Sequence, residues 1–524
     1  MNKNNNKIEF GDFQTPAILA EKMVSILLEL NINPQIIIEP TCGTGEILFE
    51  ATKRFKAEKS IGIEINPEYV SICKNKANAY NNIQIINADI FQSYKAIIPS
   101  NNLNKCVLFI GNPPWVTNSG IGTIEGSNLP NKSNIKGLRG IDAITGKSNF
   151  DIAEYILLKL IEQYNQMNSI FAFLCKTIVA RNILKYLWNN GIQYKNSFIY
   201  PIDTLKYFNT KTDACFFIID FREKVENKTC NVYKSINDKV LSTVYGYYSS
   251  LIIKNINEFK SHNYFGKSDY TWRNGLKHDC SKVMELIIQN NKLYNGFDEE
   301  VDVETDLIYP FLKSSDLSKE QMNIRKYVIV TQHYVGEETN YIKYKYPKLW
   351  NYLERYSKLL DSRKSSIYKN KPRFSIFSIG EYSFSPYKIV ISGLYKKIAF
   401  KKIGMYENKP IMVDDTCNFI PCFSQNEVDL IYNLLTSDES YAYLNSVIFW
   451  DSKRPITTEI LNNINLGKIA SDKGIYNIYN TLCYNNKIIK KDDVIQPTLF
   501  RIPRSFMVSA PVVIARNVKN KNGE

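Results

Sequence analysis

The stretch Ile36-Ile37-Ile38-Glu39-Pro40-Thr41-Cys42-Gly43-Thr44-Gly45-Glu46 runs from a short apolar segment into a glycine-bearing turn and on to residues that suit a helix. Two glycines let a backbone turn tightly and approach a ligand before the helix begins. On its own this is a strand-to-helix turn, so its neighbours decide the reading. Further short runs follow at Ile61-Gly62-Ile63-Glu64, Ile83-Gln84-Ile85-Ile86, Val107-Leu108-Phe109-Ile110 and Ser169-Ile170-Phe171-Ala172-Phe173-Leu174, each bounded by Gly, Asn or Pro. Helical segments are expected between them near 46–57, 67–79 and 151–164, the last with Ile152, Tyr155, Ile156, Leu158 and Leu160 at helical spacing. Strands alternating with helices predict an α/β class: a doubly wound, mostly parallel sheet covered on both faces.

In such a sheet, ligands gather at the carboxyl ends of the strands. Glu64 ends the second strand about 20 residues after the glycines, where an acidic group can accept hydrogen bonds from ribose hydroxyls. The third glycine of the dinucleotide fingerprint is missing from its spacing. Asn87-Ala88-Asp89-Ile90-Phe91 follows the third strand, offering a carboxylate to an adenine amine and two apolar residues to flank the ring. Three successive strand ends thus supply groups for a small nucleoside. The segment resembles the fold of S-adenosylmethionine-dependent methyltransferases, with S-adenosyl-L-methionine as the implied cofactor. By that resemblance Glu39, Pro40, Gly43 and Gly45 border its methionine part and Glu64 holds the ribose. Asp89 binds the adenine amine, with Ile90 and Phe91 beside it.

The fourth strand ends in Gly111-Asn112-Pro113-Pro114-Trp115. Consecutive prolines fix φ and remove two N–H donors, so this turn presents acceptors. An exocyclic amine could give one hydrogen to the side-chain carbonyl of Asn112 and another to the carbonyl of Pro113, pulling its lone pair out of conjugation. Trp115 offers a face for stacking, worth roughly 1–3 kcal/mol per base. The tetrapeptide resembles the Asn-Pro-Pro-aromatic motif of amino-methyltransferases, which mostly end in Tyr or Phe; Trp115 departs from that pattern and is expected to alter pocket width. The implied chemistry is direct in-line transfer, in which positioning and polarisation suffice and no enzyme nucleophile is needed.

Upstream lies Gly11-Asp12-Phe13-Gln14-Thr15-Pro16, then a helical segment from Ala17 to Leu30. Read locally, Thr15 is an N-cap with Pro16 at the first helical position. The order of this element, glycine turn, Asn-Pro-Pro motif and large carboxy-terminal half resembles the gamma-type DNA adenine-N6 methyltransferases, of the Eco57I-like and TaqI-like type II modification enzymes. That resemblance places Thr15 and Pro16 over the methionine end of the cofactor. It aligns Asn149-Phe150-Asp151 with the start of a helix and Phe208 with the residue that stacks on an extruded adenine opposite Trp115. Locally, Phe208 reads equally as a core residue at a strand start.

The 524 residues carry 66 Lys+Arg against 52 Asp+Glu, a formal charge of +14 that favours a polyanionic partner. The chain divides into a catalytic domain over 1–245 and a mixed α+β target-recognition domain over 246–524, with a long Gly-, Ser-, Asn- and Lys-rich loop at 116–149. Within the second part, Arg363, Lys371, Arg373 and Lys388 are candidate contacts to double-stranded DNA, though each also reads as a surface charge. The target base must be flipped out of the stack to be reached. A cognate restriction endonuclease is the partner such a modification system implies; the oligomeric state is left open between monomer and dimer. No apolar run approaches the roughly 18–20 residues of a membrane span, and the expected location is cytoplasmic. Ten cysteines without a Cys-x-x-Cys pair are expected to be reduced and mostly buried, and no metal site is expected. The adjacent His278 and Asp279 are poorly placed to act as a catalytic pair. Cytosine N4, RNA adenine and protein glutamine share the tetrapeptide chemistry, and a catalytically inactive nucleic-acid-binding module is the alternative of a different class.

Overall fold

The computed structural model describes residues 13–98, 104–116, 151–319 and 322–483. Gly11, Asp12, Asn149, Phe150 and all but the first residue of the expected loop lie outside them. Ten strands form the main sheet: β1 (Ile36–Glu39), β2 (Lys59–Glu64), β3 (Ile83–Asn87), β4 (Val107–Gly111), β5 (Ser169–Lys176), β6 (Asn196–Ile202), β7 (Ala214–Asp220), β8 (Thr229–Tyr233), β9 (Leu241–Tyr248) and β10 (Leu251–Ile253). Their order is β10-β9-β8-β6-β7-β5-β4-β1-β2-β3. From β3 through β5 every pairing is parallel. Beyond β5 the expected parallel character gives way, because β7 pairs antiparallel with both β5 and β6. β6 and β8 are parallel, and β9 and β10 complete an antiparallel edge.

β1 stands between β2 and β4, so the chain winds away from it in both directions. This reversal leaves a crevice above the carboxyl ends of the central strands. β4 shows why the arrangement holds. Val107, Leu108, Phe109 and Ile110 are all fully buried, as expected of a strand covered on both faces. Val107 and Phe109 join the core beneath α5 (Ile152–Tyr164) and α6 (Thr177–Asn189). Leu108 and Ile110 join the opposite core, under α1 (Ala17–Glu29) and α2 (Glu46–Phe55). The remaining helices near the crevice are α3 (Pro67–Ala77), α4 (Ile90–Ser93) and α7 (Thr204–Phe208).

The expected boundary between residues 245 and 246 falls inside β9, and the main sheet continues to Ile253. Leu251 and Ile253 also belong to the apolar core of the carboxy-terminal half, together with Trp272, Ile389 and Leu444. That half is mixed α+β. A four-stranded sheet combines residues 273–274, 387–392, 401–403 and 417–422, and a six-stranded sheet is built on 285–289, 308–312 and 326–329. The segment from Trp272 to Asp279 joins them: Arg273 and Asn274 pair with Phe419 and Asn418, Leu276 bridges to Asp414, and Lys277 bridges to Phe377.

Candidate active site

The glycine turn leaves β1 with Gly43 and Gly45 at φ of 52° and 83°, the left-handed region that favours glycine. A Cβ on Gly43 would lie 2.6 Å from Oε1 of Gln14, so the turn and the segment ahead of α1 are in close contact. The turn is tied to β2 by a bond from Cys42 N to the carbonyl of Ile63 at 2.9 Å. Glu64 holds it from the side. Its Oε2 accepts from Gly43 N and its Oε1 from Asn66 N, both at 2.8 Å. The carboxylate therefore shapes the turn from β2. Glu39 is buried at the end of β1 and accepts from Leu48 N at 2.9 Å. Burial pushes its carboxyl well above the ordinary range, reinforced by Cys73, Glu64 and Glu46 and opposed by the Leu48 bond. Asp89 caps α4, accepting from Phe91 N at 2.9 Å and from Gln92 at 3.3 Å.

These groups surround a cavity of about 410 Å³, within the range of cofactor sites. Of the residues expected at the cofactor, Thr15, Glu39, Pro40, Gly43, Glu64, Asp89, Ile90 and Phe91 line it, joined by Asn112 and Pro114. Pro16 and Gly45, also expected there, are not among the residues that line it. Gln14, Thr41, Thr44, Ile65 and Tyr69 line it as well and were not anticipated. Gln14 follows from a positional signal, since it adjoins the Thr-Pro pair; Ile65 and Tyr69 follow from the chain's course after β2. The residues present fit S-adenosyl-L-methionine. Carboxylates stand at the end of β2 (Glu64) and just beyond β3 (Asp89), and Ile65, Ile90 and Phe91 supply apolar walls. Glu46, Glu64, Glu68 and Asp89 give a chain of +14 an acidic cleft suited to a sulfonium. The hydroxyl of Thr41 is buried there without a hydrogen-bond partner.

Asn112 reaches the same cavity from the end of β4. Its Nδ2 donates to the carbonyl of Phe13 at 2.8 Å and to Oγ1 of Thr15 at 3.2 Å. Its Oδ1 is buried with no partner. The motif is anchored behind Pro114 by a bond from Ile152 N to the carbonyl of Val116 at 2.9 Å. Asp151 caps α5 through Ala153 N at 3.1 Å and pairs with Lys176 at 2.6 Å.

Thr15 does not have the capping role its sequence context suggests: α1 is capped at Pro16, with no side-chain bond. The aromatic pair also departs from expectation. Trp115 and Phe208 are neighbours, but their rings meet edge to face at 5.2 Å, too close to admit a base between them. Phe13 completes a trio, 5.7 Å from Trp115 and 6.0 Å from Phe208. Trp115 is buried, and its indole N–H has no partner.

The four basic residues expected on DNA fare differently. Lys388 is only 2% exposed and donates to the carbonyl of Ser385 at 3.0 Å, so it presents no charge at the surface. Arg363 is spent on the carbonyls of Leu360, His278 and Ser375 and stacks on Tyr368 at 3.7 Å. Arg373 is exposed and paired with Glu354 and Asp361, while Lys371 is exposed. His278 is structural: it is buried, accepts from Cys280 N at 3.1 Å and lies 3.5 Å from Glu285. All ten cysteines are free thiols, nine of them buried. Among the described residues no cluster of side chains could hold a metal ion and no helix is long and apolar enough to cross a membrane.

Comparison with known proteins supplies the family. Residues 33–118 match a family model described as "Putative methyltransferase". The type II methyltransferase M.NspV of Nostoc sp. is 44% identical over 476 residues, spanning 90% of this chain and 98% of that one. The modification methylase CviBIII of Paramecium bursaria Chlorella virus NC1A is 28% identical over 177 residues, spanning 34% of this chain and 40% of its own. Among solved structures, the type IIL restriction-modification enzyme MmeI in complex with DNA aligns at a TM-score of 0.49 with 13% identity, covering 88% of this chain and 65% of that one.

Proposed function

The chain belongs to the type II methyltransferases, and from that membership we propose that it methylates the N6 amine of an adenine turned out of duplex DNA at a specific sequence. It is a DNA methyltransferase of the restriction-modification kind, and S-adenosyl-L-methionine is its cofactor. The observation that carries the adenine-type amine reading is the bare, buried Oδ1 of Asn112 at the rim of the cofactor cavity. A buried acceptor without a partner costs about 1–3 kcal/mol, a cost that an incoming N–H removes.

The bound cofactor supplies a methyl group on a sulfonium. Asn112 accepts one hydrogen of the target amine, which localises the nitrogen lone pair for in-line attack. Pro113 and Pro114 restrict the backbone around that acceptor, so little reorganisation is needed when the amine arrives. The base cannot be reached inside the stack and must leave it, at a cost of a few kcal/mol. Its entry requires Trp115 and Phe208, now in edge-to-face contact, to part, after which those rings can hold it. The carboxy-terminal half serves as the target-recognition domain, with exposed cations such as Lys371 available to phosphates. A cognate endonuclease is the partner such an enzyme would protect against.

The test is to incubate the protein with methyl-labelled cofactor and duplex DNA and to digest the DNA to nucleosides. Label is expected on N6-methyladenine. Label on N4-methylcytosine, or on RNA or protein in matched reactions, would reject the assignment.

A further inference from the structure

We propose that Thr15 is a positioning residue, whose hydroxyl joins the carbonyl of Phe13 in holding the Asn112 amide so that its oxygen faces the target amine. The inference rests on the reading of Asn112 given above. A backbone carbonyl only accepts, so the atom 2.8 Å from it must be the amide nitrogen, which fixes which way Asn112 is turned. Thr15 accepts from the same nitrogen at 3.2 Å and is 8% exposed. Because α1 is capped at Pro16 without a side chain, the Thr15 hydroxyl is not committed to the helix. With its two hydrogens aimed at two acceptors, the amide leaves Oδ1 on the opposite side, buried and unpartnered.

The alternative orientation shows what this is worth. The terminal torsion of Asn is broad and roughly two-fold, so a loosely held amide would turn over readily. Its NH2 would then meet the NH2 of the base, donor against donor. One acceptor restrains the amide weakly; two acceptors, two residues apart on one segment, restrain both hydrogens. The residue between them fixes that segment. Gln14 Oε1 accepts from Thr44 N at 3.1 Å and from Thr44 Oγ1 at 3.0 Å, so the segment of residues 13–15 grips the glycine turn while it grips Asn112.

Thr15→Val keeps the shape and removes the acceptor; Thr15→Ser restores it. Methyl transfer is measured in single turnovers at saturating cofactor and DNA, and cofactor affinity by calorimetry. For Thr15→Val the rate at saturation is expected to fall about tenfold, the scale of one net hydrogen bond, while the cofactor Kd stays within about twofold. Thr15→Ser is expected to recover most of that loss. An unchanged rate in Thr15→Val, a Thr15→Ser variant as slow as Thr15→Val, or a loss expressed only in cofactor Kd would overturn the proposal, the last making Thr15 a cofactor contact. Asn112→Ala separates the two levels. If it transferred methyl groups at the full rate, the role of Asn112 itself would fail; if it were inactive while Thr15→Val ran at full rate, only the present inference would.

Discussion

Lys388 carries a lesson about reading single residues. It stands in Tyr387-Lys388-Ile389-Val390-Ile391, and among scattered lysines and tyrosines it reads as a surface cation. The strand that bears it lies between two others and is buried along most of its length, which strips the ammonium of water. Burial lowers its pKa from 10.5 to about 7. Between those values the unfolded chain binds a proton that the folded chain does not, so this group makes stability rise with pH across that window and burdens the fold most at pH 7 and below. Lys388→Met is therefore expected to raise the melting temperature at pH 7, with a gain that shrinks toward pH 10, and to leave DNA affinity unchanged. Melting curves across pH and a binding titration check both parts. The residues that line the candidate site were more legible. Asn112, Glu39, Glu64 and Asp89 follow from their places at strand ends, where the topology permits only one destination. Thr15 was legible as a residue of the cavity but its bond to the Asn112 amide was not, because a hydroxyl ahead of a proline serves a helix or a distant amide with the same local sequence.

At the scale of elements, strands bounded by Gly, Asn or Pro were found almost to the residue. β1 through β4 differ from their sequence readings by at most two residues at either end. Their apolar runs are short and uninterrupted because both faces are covered, and helical spacing cannot mimic that. The antiparallel edge beyond β5 was not legible. Strand direction depends on connections, and the short link from β6 to β7 through α7 returns the chain the opposite way. The Trp272–Asp279 segment was visible as distinct, but its reason appears only in three dimensions. A Cβ on Gly275 would sit 2.1 Å from the carbonyl oxygen of Asp414 and 2.3 Å from that of Val413. Both are backbone atoms and cannot swing aside. Gly275→Ala is accordingly expected to cost about 3 kcal/mol, the upper part of the range for overpacking, and to appear as a lower urea midpoint.

Among the described residues, side chains from both halves of the molecule meet around Arg181. Arg181, on α6 and only 4% exposed, reaches Asp451 at 2.6 Å and lies 4.5 Å from the ring of Phe449. Phe449 in turn meets Tyr245 of β9 edge to face at 5.0 Å. Arg181→Ala removes the stack and leaves Asp451, a quarter exposed, without its cation. A loss of about 2 kcal/mol is expected, below that of a fully buried pair because water reaches the aspartate. It should appear as a lower thermal midpoint and as faster proteolytic cutting near residues 449–454. β9 and β10 make the same junction covalent, for they finish one half's sheet while feeding the other half's core. Chimeras that graft a foreign reader onto this catalyst should therefore keep the chain through Ile253, since a splice at residue 245 would sever a strand halfway and hand the transplant a frayed seam.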